Sequence, residues 1–142
     1  MKRLIAALSL IAGPVFANEL PRYEWDVLRV IDGDTVEIEA PYLPEPLAPK
    51  LSIRVYGVDT PEKGWRGQCE REKALGQEAS DFTTQLIQNA DSIMVEIRTW
   101  DKFGGRVLGD LWIDGESLTA LLIANGYARP YYGEAKQSWC DE

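Results

Sequence analysis

Two kinds of hydrophobic pattern alternate along this chain and predict its secondary structure. Runs rich in β-branched residues, several with apolar residues at every second position, predict five strands over 24–31, 35–40, 51–58, 93–98 and 106–113. Helical spacing predicts a helix over 70–89, weakened near its start by Gly76, and a short helix over 118–124. With one helix between the third and fourth strands and a short helix after the fifth, the pattern predicts a five-stranded OB-type β-barrel, a mainly β member of the α+β class.

The first seventeen residues have the features of a secretory signal peptide. Lys2 and Arg3 form a positive start, an apolar stretch follows, and Ala17 is the small residue that a signal peptidase requires. The apolar stretch is too short to span a bilayer, so a permanent N-terminal anchor is the weaker alternative. We expect cleavage after Ala17, export to the periplasm or the medium, and a single monomeric domain over 18–142 that does not associate with a membrane.

The charge balance limits the partners of this domain. The whole chain carries 15 Lys and Arg against 23 Asp and Glu, a net charge of −8, and loss of Lys2 and Arg3 would make it −10. Such a chain has no bulk positive field to attract duplex DNA or an anionic membrane. Binding of nucleic acid would therefore require a local basic groove and a bound cation.

Cys69 and Cys140 are the only cysteines of the chain. In an exported protein two cysteines allow one intramolecular bridge, and oxidising conditions favour it. Two free thiols or an intermolecular bridge are the alternatives. We do not expect these cysteines to bind a metal, because the chain has no histidine and two thiolates cannot complete a zinc site.

Two acidic runs follow predicted strands, and they suggest a cation site. The first contains Asp34, after a predicted Asp32-Gly33 hairpin turn, and the second contains Asp59. If the strands over 35–40 and 51–58 pair antiparallel, both carboxylates lie at the same end of the barrel. Carboxylates are ligands for Ca²⁺ or Mg²⁺, and Arg54, just upstream of the second run, suits bidentate binding of a phosphate.

Each of these motifs also has an ordinary structural explanation. Hairpin turns favour Asp and Gly for conformational reasons, the run from Asp59 to Glu62 could be a turn or an N-cap, and Arg54 could be a solvated strand residue. The aromatic residues after the acidic runs, among them Trp65, could simply cover the barrel ends, although aromatic residues interleaved with arginine also suit single-stranded nucleic acids. Only the ordered combination of acids and arginines favours a phosphodiester site.

This combination resembles the thermonuclease, or staphylococcal-nuclease-like, family of Ca²⁺-dependent nucleases. The resemblance extends from about Val27 to Tyr132. It is carried by four motifs: Val30-Ile31-Asp32-Gly33-Asp34-Thr35, Arg54 to Glu62, Leu75 to Thr83, and Asp101-Lys102-Phe103-Gly104 followed by Arg106. One residue departs from the family pattern, since Gly104-Gly105 replaces the single glycine before the arginine.

The resemblance implies a metal site and a group that acts on water. Asp34 and Asp59 would bind Ca²⁺ through their carboxylates, and Thr60 through its backbone carbonyl. Glu62 would position or deprotonate the attacking water.

The resemblance also implies how the substrate is held. Arg54 and Arg106 would stabilise the charge on the phosphorus oxygens, Lys102 would lie near a terminal phosphate, and Tyr132 would pack on a base. Family members release 3′-phosphorylated products from DNA and RNA. For this acidic chain we expect single strands to be favoured over duplexes.

Two alternatives to an exported nuclease are open at this point. A non-catalytic OB domain could bind nucleic acid or protein, although such relatives typically lose some of the acids and arginines. A structural domain with a metal-stabilised turn would leave Arg54 and Arg106 without a role.

Overall fold

The computed structural model describes residues 19–44 and 50–141, so the predicted signal peptide lies outside the described residues. The elements follow the order β1 (Arg22–Tyr23), β2 (Val27–Asp32), β3 (Thr35–Glu39), β4 (Lys50–Val55), β5 (Val58–Asp59), a 3₁₀ turn (Gly64–Arg66), α1 (Glu70–Gln88), β6 (Ile93–Trp100), β7 (Arg106–Ile113), β8 (Glu116–Ser117), α2 (Leu118–Ala124) and β9 (Arg129–Pro130). Within the described ranges no helix is both long and apolar enough to cross a membrane.

The five long strands form one mixed sheet in the order β6-β7-β4-β3-β2, extended at one edge by β1. Pairing is antiparallel except between β4 and β7, which run parallel, with Arg54 opposite Leu108. Helix α1 connects the third and fourth of these strands, and α2 follows the fifth. The predicted mainly β fold of OB type is therefore confirmed.

The core lies between the sheet and the two helices. Strand alternation buries Val36, Ile38 and Ile53, as the period-2 pattern predicts. Completely buried Leu118 and Leu122 bring α2 into the same cluster. Ser117 is the N-cap of α2, and its side chain accepts a hydrogen bond from the backbone N–H of Ala120.

Helix α1 packs closely on the neighbouring backbone because the side chains on its buried face are small. Gly76, Ala79 and Thr83 lie on this face. A Cβ atom added to Gly76 would lie 2.6 Å from the carbonyl carbon and oxygen of Glu62, so only glycine permits the approach. The sequence pattern marked Gly76 only as a weak point of the helix, whereas the structure gives it a packing function.

Two boundaries near the acidic runs differ from the sequence prediction. The hairpin turn is formed by Gly33 and Asp34 instead of Asp32-Gly33, because Asp32 remains in β2 and pairs with Thr35. The predicted strand over 51–58 is interrupted after Val55. There Gly57 adopts a φ of +83°, and the chain turns into the short strand β5, which pairs with β9.

Candidate active site

Antiparallel pairing of β3 with β4 brings the two acidic runs together. Thr35 lies opposite Arg54 in this register. Nη2 of Arg54 lies 3.2 Å from Oδ2 of Asp34 and 3.7 Å from Oδ1 of Asp59. The backbone N–H of Thr60 donates a hydrogen bond of 3.4 Å to Oδ2 of Asp34. Two aspartates that are distant in sequence thus lie close together, as the topological argument expected, and both contact Arg54.

The two aspartates are almost completely buried, with exposed fractions of 3% for Asp34 and 5% for Asp59. Burial raises the pKa of Asp34, and the charge of Arg54 with the hydroxyl hydrogen bond from Thr35 offsets part of that increase. Oδ1 of Asp59 is a buried acceptor whose neighbours are two cationic groups, Nζ of Lys136 at 2.6 Å and Nη2 of Arg54 at 3.7 Å. A buried acceptor of this kind fits a site for a hard cation.

The donor set suits Ca²⁺ better than a transition metal. The predicted donors are the carboxylates of Asp34 and Asp59 and the backbone carbonyl of Thr60, and all would supply oxygen ligands. In residues 19–44 and 50–141, no group of three or more His, Cys, Asp or Glu side chains is arranged to hold a metal. Further ligands of a bound cation would therefore be water or substrate oxygens.

Glu62 lies beside these aspartates on a loop that α1 holds in place. Its backbone N–H donates to the carboxylate of Glu72, at 3.3 Å. Partial burial raises the pKa of Glu62, and the ammonium group of Lys136 lowers it again in part. A carboxylate whose pKa is raised is a better proton acceptor for water than an ordinary one, which suits general-base chemistry.

A cleft of about 670 Å³ opens next to Arg54 and Glu62, and we call it the first cleft. Arg106, Lys102 and Tyr132, all predicted to contact substrate, are among its lining residues. Five predicted site residues thus line one cleft, and Asp34 and Asp59 join them through their contacts with Arg54.

Arg106 is held by an acidic neighbour. Its Nε and Nη2 atoms both lie 2.6 Å from Oδ2 of Asp101, and its guanidinium group lies 5.1 Å from the ring centre of Phe103.

The additional glycine is accommodated in the turn between β6 and β7. Gly105 has a φ of +78° there, and no other atoms crowd it. Arg106 thus remains the first residue of β7, opposite Ser52.

Tyr132 is available for a stacking contact. It is 66% exposed, and its ring meets that of Tyr56 edge to face at 5.7 Å. The backbone of Gly57 lies behind it, where a side chain would crowd the ring.

Cys69 and Cys140 form a disulfide, so the predicted pairing is present in the structure. Cys69 also caps α1, since its sulfur accepts a hydrogen bond from the backbone N–H of Glu72. The bridge joins the C-terminal segment to the start of α1, next to the loop that carries Glu62.

This tether places two site residues that the sequence analysis did not identify. Nζ of Lys136 lies 2.6 Å from Oδ1 of Asp59 and 3.8 Å from Oε1 of Glu62. Trp139 donates an indole hydrogen bond of 3.3 Å to Oδ2 of Asp59. Its ring lies 3.8 Å from the guanidinium group of Arg129. The only sequence signal for either residue was its closeness to Cys140.

Comparison with known proteins identifies the family. Residues 52–141 match the family model described as staphylococcal nuclease homologue, which is more than half of the chain. The chain belongs to the staphylococcal nuclease family. The match includes most of the first cleft, while Asp34 lies upstream of it.

Three individual relatives share about a third of their aligned residues with this chain. The chain is 33% identical to Thermonuclease of Staphylococcus hyicus over 119 residues, 83% of this chain and 63% of that protein. It is 32% identical to Endonuclease YhcR of Bacillus subtilis over 115 residues, 78% of this chain but 9% of that protein. Endonuclease YncB of Bacillus subtilis is 30% identical over 106 residues, 73% of this chain and 46% of that protein. This chain thus spans less than two thirds of the length of each of these relatives.

Proposed function

We propose that the protein is an exported, Ca²⁺-dependent nuclease that hydrolyses phosphodiester bonds of DNA and RNA, favours single strands and leaves 3′-phosphorylated products. The observation that carries the proposal is the position of Arg54, which contacts Asp34 and Asp59 and lines the same cleft as Glu62 and Arg106. Names of the relatives support the reaction class, and the disulfide with the N-terminal pattern supports export.

Each residue has a defined task in this reaction. Asp34, Asp59 and the carbonyl of Thr60 would hold the cation, which would offset the negative charge of the scissile phosphate. Glu62 accepts a proton from the water whose oxygen forms the new bond to phosphorus. The bond from phosphorus to the 5′ oxygen breaks, and the leaving 5′ oxygen takes a proton from solvent water.

The arginines act on the charge that develops at phosphorus. Arg54 contacts the two aspartates and also lines the first cleft, where the phosphate would bind. Arg106 is paired with Asp101 and exchanges this partner for a phosphate oxygen. Guanidinium groups that bind more tightly as charge accumulates stabilise the transition state over the bound substrate.

Single strands are favoured for two reasons. The net charge of −8 gives little attraction to the regular phosphate array of a duplex. Exposed aromatic side chains such as Phe103 and Tyr132 line the first cleft and can stack only on bases that are not already stacked in a helix.

The test is an assay of the purified exported protein on heat-denatured DNA with Ca²⁺, Mg²⁺ or a chelator. We expect cleavage with Ca²⁺, none with the chelator, and 3′-phosphate ends on the products. Glu62→Gln should lower kcat by about 10²- to 10³-fold, as expected when one preorganised catalytic group is removed. Glu78→Gln, on the exposed face of α1, is the matched control.

Two results would contradict the proposal. Full activity in excess chelator would exclude the cation, and full activity of Glu62→Gln would place the chemistry elsewhere. Binding of single-stranded DNA without any cleavage would favour the alternative, a non-catalytic OB domain.

A further inference from the structure

Trp65 is exposed to an unusual degree. It is 88% exposed, the highest value among the large hydrophobic side chains of the described residues. A tryptophan normally buries much of its large apolar surface, so this position is unfavourable unless a partner covers the ring. This exposure argues against the alternative that Trp65 covers a barrel end.

The loop that carries Trp65 is fixed by hydrogen bonds before and after Trp65 in the sequence. The carboxylate of Glu72 accepts hydrogen bonds from the backbone N–H groups of Glu62, at 3.3 Å, and Gln68, at 2.7 Å. Arg66, the next residue, pairs with Asp32 at 3.1 Å. Because the loop is already ordered, a contact on Trp65 costs little additional conformational entropy.

Trp65 stands beside a second cleft, of about 510 Å³, which it lines together with Gln68 and Trp139. Glu62, Arg66 and Lys136 line both this second cleft and the first cleft. The two clefts thus meet at the predicted general base. A chain with its scissile phosphate at Glu62 can extend into both.

We propose that Trp65 is the stacking platform of a second nucleobase subsite in the second cleft, an inference that rests on the proposed nuclease function. Two nucleotides flank the scissile phosphate: the base of one packs on Tyr132, and the base of the other stacks on Trp65. The guanidinium carbon of Arg66 lies 5.5 Å from the Trp65 ring centre, so a base stacked there has positive charge beside its phosphate. Because every base has a π-face, the subsite accepts all four bases.

The experiment uses three small substrates, each with one scissile bond. The first is a dinucleoside monophosphate with both bases, and the other two each lack one base and keep the sugar. Trp65→Ala should raise KM on the first substrate by about 5- to 100-fold and leave kcat nearly unchanged, since stacking is worth about 1–3 kcal/mol per base. Trp65→Phe should retain most of the affinity.

The two abasic substrates separate stacking from a structural role. On the substrate without the base at Trp65, wild type and Trp65→Ala should have the same KM, whereas on the other the difference should persist. Trp100→Ala is the control, because Trp100 is 65% exposed and lines neither cleft. Equal KM values for Trp65→Ala and Trp100→Ala on the first substrate would overturn the proposal. So would a deficit of the same size on all three substrates.

Failure of the subsite can be distinguished from failure of the nuclease proposal. If the wild type cleaves neither these substrates nor heat-denatured DNA with Ca²⁺, the nuclease proposal fails, and the subsite is judged by fluorescence anisotropy of a labelled single-stranded oligothymidylate. Weaker binding by Trp65→Ala than by Trp100→Ala would support the subsite without cleavage. Equal binding by the two variants would overturn it.

Discussion

The ammonium group of Lys136 lies 2.6 Å from Oδ1 of Asp59, a buried carboxylate oxygen. Lys136 comes from the segment that the Cys69–Cys140 disulfide holds against the start of α1. The protein thus supplies a positive charge of its own to a carboxylate that we propose as a metal ligand. If Asp59 binds the proposed cation, this contact would couple cation binding to the C-terminal segment.

Replacing Lys136 should strengthen cation binding. The lysine and a divalent cation compete for Asp59, so we expect Lys136→Met to bind Ca²⁺ about two- to fivefold more tightly, the range of a partly exposed ion pair. Isothermal titration calorimetry on the oxidised protein measures this directly. Lys50→Met removes the same charge from a distant pair with Glu37 and should leave the affinity unchanged. Equal affinities for the two variants would show that Lys136 does not compete.

Removing the disulfide should affect stability and substrate binding. The bridge spans 71 positions, so its loss should cost about 4 kcal/mol of unfolding free energy by loop-closure entropy. Because serine is itself a good N-cap residue, the double variant Cys69→Ser with Cys140→Ser keeps a cap on α1 and isolates the bridge. We expect KM to rise more than kcat falls, because the released segment carries Lys136 and adjoins Tyr132. An unchanged KM would limit the role of the bridge to stability, as urea unfolding would measure.

Gly76→Ala should destabilise the protein although it favours the helix. Alanine gains about 1 kcal/mol in helix propensity. The new Cβ atom, however, would lie 2.6 Å from the backbone of Glu62, and overpacking of this kind costs about 1–3 kcal/mol. We expect a lower Tm and a lower kcat, because the displaced backbone carries the proposed base. Glu78→Ala, at an exposed position of α1, is the control and should change neither. A raised Tm for Gly76→Ala would contradict the packing argument.

Asp110 should give part of the stability a defined pH dependence. Burial raises its pKa, and the hydrogen bonds from Ser117 and from the backbone of Leu111 and Thr119 offset this only in part. The contribution of Asp110 is therefore fully present below its ordinary value of 3.8 and is lost as the pH rises through the higher folded-state pKa.

We therefore expect the stability advantage of wild type over Asp110→Asn to shrink as the pH rises above 3.8. Urea unfolding at a series of pH values measures it. Asp81→Asn, at an exposed position of α1, should show no such trend. A difference that stays constant or grows with pH would contradict the assignment.

The sequence by itself determined the five long strands, the two α-helices and the closeness of Asp34, Arg54 and Asp59. Alternation of apolar residues in β4 and β7, helical spacing in α1 and the Asn125-Gly126 stop after α2 are local signals, and the chain follows them closely. Asp34, Arg54 and Asp59 could be chosen because an antiparallel pair of strands brings known ends together. Two cysteines could form only one intramolecular bridge.

Only the tertiary structure decided the features that depend on contacts between distant segments. The parallel pairing of β4 with β7, the turn at Gly57 and the pairing of β5 with β9 have no local pattern. The contact of Lys136 with Asp59 arises because the disulfide fixes a short polar segment at one point, and no periodicity reveals where its side chains lie. Exposure of Trp65 is likewise a tertiary property. Whether an aromatic ring is buried depends on what packs against it, not on its neighbours in sequence.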